Sequence, residues 1–194
     1  MIYIVRHGQT ARNAARVLQG RCDCPMNDEG EAQAAAVGAW FRGQGIRFDH
    51  VWSSPLQRAL RTARAVAGRE AEIRIDQRLI EMDYGPYEGM DLSDPAPELK
   101  EFFRDFTHNP APAGMEPLSE VRARLGAFLE SLRQTAPSGT ILISTHAIAM
   151  KGALEYLDPA AEGRYWSTYI PNCAVYRTDF TQDGFVLPQE VPTW

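Results

Sequence analysis

Short apolar runs alternate along this chain with longer amphipathic stretches, and this alternation limits the folds open to it. The runs have strand length and comprise Ile2–Val5, Phe48–Ser53, Ile73–Ile75, Thr140–Ser144, Ala174–Thr178 and Phe185–Leu187. Apolar residues recur at helical spacing in 29–43, 55–67 and 119–133. Strands that alternate with helices form sheets covered on both faces. The sequence therefore predicts an α/β fold, a three-layer αβα sandwich with a mostly parallel central sheet.

The expected helix boundaries follow from capping residues. Ser54 is a favourable N-cap for the 55–67 helix, and Pro55 suits its first helical position. The Ala-rich helix of 29–43 is expected to end near Gly43 and Gly45.

Residues 84–117 differ in composition from the rest of the chain. They are rich in proline and hold a short predicted helix whose Leu99, Phe102, Phe103 and Phe106 share a face. At 194 residues the chain has the length of one domain. We therefore expect a single domain, 1–194, in which 84–117 is an excursion or cap over a site.

Composition excludes several classes of function. With 20 basic and 25 acidic residues, a net charge of −5 argues against a nucleic-acid-binding protein. Cys22, Cys24 and Cys173 are too few for a disulfide framework, and the C-x-C pair lacks partners at zinc-site spacing. No apolar run approaches the ~20 residues of a membrane span, and no secretory leader is evident. We expect a cytoplasmic protein with no membrane or nucleic-acid partner and with plain loop thiols.

Two predicted strands end in the same way. The first runs into Arg6-His7-Gly8 and another into Thr145-His146-Ala147, while a third leads to a helix whose first turn holds Arg58. The carboxyl ends of parallel strands meet at one crevice, where ligands bind. A lone histidine at a strand end is more often a packing residue. Two histidines and two arginines at equivalent ends favour a site.

These residue types suit phosphoryl transfer. Neutral imidazole is a nucleophile, and guanidinium groups neutralise phosphoryl oxygens. The chain has no P-loop and no G-x-G-x-x-G after a strand, so a nucleotide cradle is missing. It also lacks the G-x-S-x-G of esterases and the H-E-x-x-H of zinc hydrolases.

Several ordered blocks resemble the signature of the histidine phosphatase superfamily, in the branch that contains cofactor-dependent phosphoglycerate mutases. They extend from the amino terminus to about residue 155 and comprise Arg6-His7-Gly8-Gln9-Thr10 with Asn13, Gln19-Gly20, Asp23-x-Pro25-Met26-Asn27-x-x-Gly30, Ser53-Ser54-Pro55-Leu56-x-Arg58-Ala59-x-x-Thr62-Ala63, Leu79-x-Glu81, Gly85-x-x-Glu88-Gly89 and Ser144-Thr145-His146.

The resemblance implies a two-step mechanism without metal or cofactor. His7 would become a phosphohistidine in a pocket formed by Arg6, Arg58 and His146. Glu81, which on its own reads as a solvated loop carboxylate, would protonate the leaving group and then activate water. Further contacts to substrate or phosphate would come from Thr10, Asn13, Gln19, Gly20 and Ala147. Glu88 would be structural.

Three positions bear on the type of family member. Ala147 replaces the glycine that usually follows the second histidine, although its backbone amide is still able to donate. Pro117 follows Glu116 where the family has Ser or Thr, which puts a substrate-facing Glu116 in doubt. The pattern Thr145-His146-Ala147 with Lys151 resembles phosphatase members more than mutases.

The cap favours a phosphatase over a mutase. Its only cations are Lys100 and Arg104, beside seven acidic residues, which is a poor clamp for a doubly anionic glycerate. The expected partner is a small phosphorylated metabolite. Sugar or glycolytic phosphates, a ribazole phosphate and phosphohistidine proteins all stay open, and a homodimer is compatible with the family.

Three functions compete with that of a phosphatase. A mutase-type phosphotransferase is the first of them. A non-catalytic phosphate-binding protein is the second, although such a protein would have lost His7 or Glu81. A metal hydrolase is the third. The cap aromatics either line an apolar pocket or, as is favoured, pack their helix onto the domain. Arg21, His108 and Tyr165 are candidate rim contacts.

Overall fold

The order of strands and helices follows the predicted alternation. The computed structural model describes residues 1–182 and 184–193. The strands are β1 (Ile2–Arg6), β2 (His50–Ser53), β3 (Ile73–Ile75), β4 (Ile141–Thr145), β5 (Val175–Thr178), β6 (Phe180–Thr181), β7 (Gly184–Phe185) and β8 (Gln189–Val191). The helices are α1 (Ala11–Ala14), α2 (Asp28–Gly43), α3 (Gln57–Ala67), α4 (Pro97–Arg104), α5 (Leu118–Thr135), α6 (Ala147–Leu157) and α7 (Arg164–Ser167). Short 3₁₀ turns occupy Gln77–Leu79, Gly85–Tyr87 and Pro159–Ala161.

Six of the strands in the described ranges form one sheet, in the order β3-β2-β4-β1-β5-β8. The pairs β1–β4, β4–β2 and β2–β3 are parallel, whereas β5 pairs antiparallel with both of its neighbours. The register aligns Arg6 with Thr145 and Ser53 with Ser144. The carboxyl ends of β1, β4 and β2 therefore lie side by side, as predicted.

Side chains alternate between the two faces of this sheet and bury each face against helices. Tyr3 and Val5 pack with α2 and α3 in one core cluster, which includes Phe41 and Val66. Ile2 and Ile4 pack on the opposite face with α5 and α6. This arrangement confirms the three-layer αβα sandwich with a mostly parallel sheet.

Some predicted strand boundaries were wrong. The strand predicted over Phe185–Leu187 extends no further than Phe185, because Val186 and Leu187 are 43% and 59% exposed. The edge strand beside β5 in the main sheet is β8, whose Val191 is buried. Strands β2 and β5 also begin later than predicted, at His50 and Val175.

The predicted start of the 55–67 helix was also wrong. Helix α3 begins at Gln57, and Leu56 rather than Ser54 occupies its N-cap position. Asp23, from a distant loop, accepts the Gln57 backbone N–H at 2.7 Å and so performs the capping function. The Ser54 hydroxyl is instead 2.7 Å from His146 Nε2. Helix α2 does end at Gly43, as expected.

The 84–117 segment contributes no strand to the main sheet in the described structure. Helix α4 places Leu99 and Phe102 in the core beside α5 and α6. Phe106 follows the helix and packs edge-on to Phe102, with ring centroids 4.9 Å apart. These aromatic contacts support the packing interpretation of the phenylalanines. None of the helices within residues 1–182 and 184–193 combines the length and apolarity that a bilayer span needs.

Candidate active site

His7 directly follows β1, and local hydrogen bonds fix its ring. Its Nδ1 lies 2.7 Å from the Gly8 carbonyl, so Nδ1 carries the proton and donates it to that oxygen. The other nitrogen, Nε2, keeps its lone pair and accepts a hydrogen bond from Arg58 Nε at 3.3 Å. The ring therefore presents Nε2 as a nucleophile.

Gly8 is required where the chain leaves β1. A Cβ at this position would lie 2.3 Å from the Gly30 carbonyl oxygen, a distance too short for any side chain. The Gly8 amide donates to Thr62 Oγ1 at 3.0 Å. The amino terminus of α2 and the middle of α3 thus hold the peptide unit that fixes the His7 ring.

Burial and charge keep His7 neutral. The residue is 3% exposed. Burial is the main factor that lowers the pKa of His7 well below its usual value, and the positive charges of Arg6 and Arg58 act in the same direction. An uncharged imidazole is the form that attacks phosphorus.

Arg58 is fully buried, and each of its guanidinium nitrogens has a partner. Nε meets His7, Nη1 donates to the Cys22 carbonyl at 2.7 Å, and Nη2 donates to the Gly20 carbonyl at 2.6 Å. The loop at 20–22 therefore sets the position of this cation against the nucleophile.

His146 follows β4 and is the N-cap residue of α6. Its ring centroid lies 5.1 Å from that of His7. Ser54 Oγ accepts from the Leu56 N–H and is free to donate its own proton to His146 Nε2. Nδ1 then carries the ring proton and is a donor. Burial, the main cause, lowers the pKa of His146 well below its usual value.

Glu81 is held at the start of α6. Its carboxylate accepts backbone N–H bonds from Met82, Ile148 and Ala149 at 2.8, 3.2 and 3.0 Å. The side chain is 3% exposed, and its negative charge acts on both Arg6 and Arg58. The structure thus places Glu81 within the same charged cluster as the two arginines.

Two further cations flank this carboxylate. Arg6 donates from Nη1 to the Ile170 carbonyl at 2.5 Å. Lys151, on α6, donates to the Trp166 carbonyl at 2.7 Å and lies over the Phe106 ring. Burial lowers the pKa of Lys151 to about 8, with Glu81 opposing and Arg6 reinforcing the shift.

Three buried nitrogens of the predicted site have no hydrogen-bond partner within the described chain: Arg6 Nε, Gln19 Nε2 and His146 Nδ1. An unsatisfied buried donor costs about 1–3 kcal/mol. Since all three belong to residues predicted to contact phosphate, an oxyanion is the group that would satisfy them.

The remaining predicted contacts divide into free donors and positioning groups. Asn13 Oδ1 accepts from Thr10 N and Asn172 Nδ2, while no partner for its own Nδ2 is found among the described residues. The Ala147 amide likewise has none. The Thr10 hydroxyl is already engaged, because it donates to Gln19 Oε1 and accepts from Asn13 N. Gly20 serves by holding Arg58.

Several secondary expectations concerned charged residues outside the histidine cluster. Glu88 is structural, as predicted, because it accepts the amides of Gly20 and Arg21 and pairs with Arg12. Glu116 is buried in an ion pair with Arg124 at 2.7 Å, which commits it to the fold.

The suggested rim residues have different environments. Arg21 is exposed and pairs with Asp83, His108 is exposed and pairs with Asp105, and Tyr165 is buried. Their contact with substrate stays a prediction. Among residues 1–182 and 184–193, no three His, Cys, Asp or Glu side chains are grouped as a metal site requires.

Sequence reasoning missed two residues that position the site. Asn172 Nδ2 donates to the His7 carbonyl at 3.0 Å and also reaches Asn13, so it ties these two residues together. Arg124 Nη1 donates to the carbonyls of Arg78 and Ile80, the residues that lead into Glu81. The sequence around each residue carries no signal for these long-range contacts.

This geometry has counterparts in known proteins. A family model described as histidine phosphatase superfamily (branch 1) matches residues 2–190. The chain belongs to this superfamily. Over 193 residues it is 32% identical to a protein of Cronobacter sakazakii named "Probable phosphoglycerate mutase GpmB", an alignment that covers 95% of this chain and 87% of that protein.

Solved structures of other histidine phosphatases and related proteins share the fold. A phosphoserine phosphatase mutant from Entamoeba histolytica, in complex with phosphoserine, superposes with a TM-score of 0.84 at 24% identity and covers 99% of this chain and 96% of that chain. Bacillus stearothermophilus YhfR gives a TM-score of 0.83 at 26% identity, with 96% and 94% of the two chains covered.

Proposed function

We propose that this histidine phosphatase superfamily member hydrolyses phosphate monoesters of small molecules through a phosphohistidine on His7. The observation that carries the proposal is the state of the His7 ring. Its Nδ1 proton is committed to the Gly8 carbonyl, and its Nε2 lone pair faces a fully buried arginine. A neutral nucleophile beside a fixed cation is the arrangement that attack on an anionic phosphoryl group requires.

In the first step, His7 Nε2 forms a bond to phosphorus as the bond to the leaving oxygen breaks. Arg58 and the three unsatisfied donors of Arg6, Gln19 and His146 are the groups that would bind the phosphoryl oxygens. Their positive charge and N–H groups supply the stabilisation of developing charge without a metal ion. The departing alkoxide takes a proton from Glu81, which enters this step as the carboxylic acid and leaves it as the carboxylate.

In the second step, Glu81 as a carboxylate takes a proton from water, and the water oxygen attacks phosphorus. The phosphorus–Nε2 bond breaks, inorganic phosphate leaves, and His7 returns to its neutral form. Three backbone N–H groups hold the Glu81 carboxylate for both proton transfers. Arg124 supports this placement through the carbonyls of Arg78 and Ile80.

Phosphatase activity fits the cap better than mutase activity. Arg104 pairs with Glu101 within the cap, which leaves Lys100 as the other cap cation among seven acidic residues. A mutase must retain a second anionic substrate group during phosphoryl transfer, which such a segment serves poorly. The name of the 32% identical relatives makes phosphoglycerate mutase the second candidate.

The test is hydrolysis of p-nitrophenyl phosphate in EDTA, from mildly acidic to neutral pH, by wild type and His7→Ala. Turnover by wild type alone supports the proposal. Turnover that EDTA abolishes would contradict the metal-free route. Wild-type protein that binds phosphate without turnover would exclude a general phosphatase, and interconversion of phosphoglycerates would then identify the mutase.

A further inference from the structure

The loop that positions Arg58 contains two cysteines in contact. Cys22 Sγ and Cys24 Sγ lie 2.7 Å apart, and both side chains are partly exposed. The third cysteine, Cys173, is fully buried, and burial raises its pKa to about 12. The two partly exposed thiols are thus already in contact with each other.

The same loop is joined to α3 at Cys22 and at Asp23. The Cys22 carbonyl accepts a hydrogen bond from Arg58 Nη1 at 2.7 Å. Asp23, between the cysteines, accepts the backbone N–H of Gln57 and, through its own carbonyl, the Gln57 side-chain amide at 2.8 Å. A change in the backbone at 22–24 is therefore transmitted directly to the guanidinium beside His7.

We propose that Cys22 and Cys24 form a reversible disulfide that displaces the carbonyl support of Arg58 and lowers activity. A disulfide bond is about 2.05 Å long, so the two sulfurs need to approach by only about 0.65 Å. A ring closed by one intervening residue forces the local backbone to adjust. The effect on activity, but not the disulfide itself, rests on the proposed function.

Oxidation balances with a peroxide as oxidant. The thiolate of one cysteine attacks a peroxide oxygen of H₂O₂ and becomes a sulfenic acid, with release of hydroxide that is protonated to water. The second thiol attacks that sulfur, forms the S–S bond and releases a second water. The thiols lose two electrons and two protons, and a dithiol reductant reverses the change.

The acidity of the Cys22 thiol affects the rate of the attack on peroxide. The hydrogen bond between the thiols is the main cause that raises the pKa of Cys22, and desolvation adds to it. Because the thiolate is the attacking species, oxidation should be faster at alkaline than at neutral pH.

The experiment treats the full chain with hydrogen peroxide, blocks remaining thiols with N-ethylmaleimide under denaturing conditions, and measures intact mass. We expect two fewer maleimide adducts, a loss of two hydrogens, and a peptide cross-link between Cys22 and Cys24. The kcat/KM for p-nitrophenyl phosphate should fall about tenfold, the effect of losing one hydrogen bond to a charged group, and should recover with dithiothreitol.

Cys24→Ser is the matched control. Reduced Cys24→Ser should match the reduced wild type in activity and in urea unfolding, and it should form no intramolecular cross-link. Three adducts on peroxide-treated wild type, or a cross-link without loss of activity, would overturn the proposal. An equal reversible loss in Cys24→Ser would overturn it as well. Failure of reduced wild type to hydrolyse any ester would instead overturn the proposed function, since the adduct count requires no activity.

Discussion

The ends of β1 and β4 show how one local structure acquires two chemical roles. A buried histidine directly follows each strand, and the two strands run side by side in parallel register. The His7 ring carries its proton on Nδ1, and the His146 ring does so when Ser54 donates to its Nε2. In His7 that proton is given to the Gly8 carbonyl, so the available atom is the lone pair of Nε2. In His146 the Ser54 hydroxyl occupies Nε2, so the available group is the Nδ1 proton.

The difference shows that hydrogen bonds to the second ring nitrogen, rather than position on the sheet, assign the roles. In the proposed mechanism, one histidine attacks phosphorus and the other donates to a phosphoryl oxygen. Their surroundings reinforce this division, because His7 faces Arg58 whereas His146 caps the helix that holds Glu81.

The largest effect should come from His7→Asn, which removes the attacking lone pair while keeping a polar side chain. We expect kcat/KM for p-nitrophenyl phosphate to fall by at least about 10⁴-fold, the scale of nucleophile deletions. Unfolding by urea should show that the variant is folded. Substantial residual turnover in His7→Asn would remove the distinction between the two histidines.

His146→Ala removes a donor but leaves the nucleophile. The expected loss in kcat is about 10²–10³-fold, as for deletion of a group that stabilises a transition-state oxyanion. The phosphoenzyme should still form on His7. Steady-state kinetics measures the loss in kcat, and phosphopeptide mapping identifies the phosphorylated residue. A loss as complete as that of His7→Asn, without any phosphoenzyme, would contradict a donor role.

The two rings share one property, a pKa depressed by burial, which links stability to pH. Below pH 6.5, the approximate pKa of histidine in the unfolded chain, these histidines bind protons in the unfolded chain but stay neutral in the folded chain. The free energy of unfolding should therefore fall with decreasing pH, by up to about 1.4 kcal/mol per pH unit for each histidine.

Urea unfolding of wild type and His146→Ala between about pH 7.5 and 5 measures this linkage. The decrease in the free energy of unfolding on acidification should be smaller in His146→Ala, by the contribution of one histidine. Equal slopes in the two proteins would show that His146 is not held neutral.

The smallest effect should come from Ser54→Ala, which frees His146 Nε2 without altering His7. Loss of the hydrogen bond to His146 predicts a decrease in kcat of about three- to tenfold. In the His146→Ala background the same substitution should change kcat little, because its partner is already absent. A full additive loss in that double variant would mean that Ser54 acts by another route.

The sequence was sufficient to predict, to within one residue, where the parallel strands β1 to β4 end, because their apolar runs stop at polar residues. The parallel sheet then follows from alternation with helices, and it brings His7 and His146 together as expected. Their separate roles were assigned only through the family resemblance. Nothing local distinguishes the ring that contacts Gly8 from the ring that contacts Ser54.

Features that depend on distant segments were not predictable. Ser54 looks like a helix cap, yet its hydroxyl contacts His146 and Asp23 caps α3 instead. The edge strand β8 is short, and two of its three residues are polar and exposed. Asn172 reaches the site because the chain returns to β1 after α7. Each outcome reflects contacts between residues far apart in sequence.

The most direct test of the account identifies the phosphorylated atom. Wild type, His7→Asn and His146→Ala are mixed with substrate, quenched in alkali where phosphohistidine survives, and digested for mass spectrometry and ³¹P NMR. We predict one phosphoryl group on Nε2 of His7 in wild type and in His146→Ala, and none in His7→Asn. A phosphoryl group on His146, or on Nδ1 of His7, would contradict it.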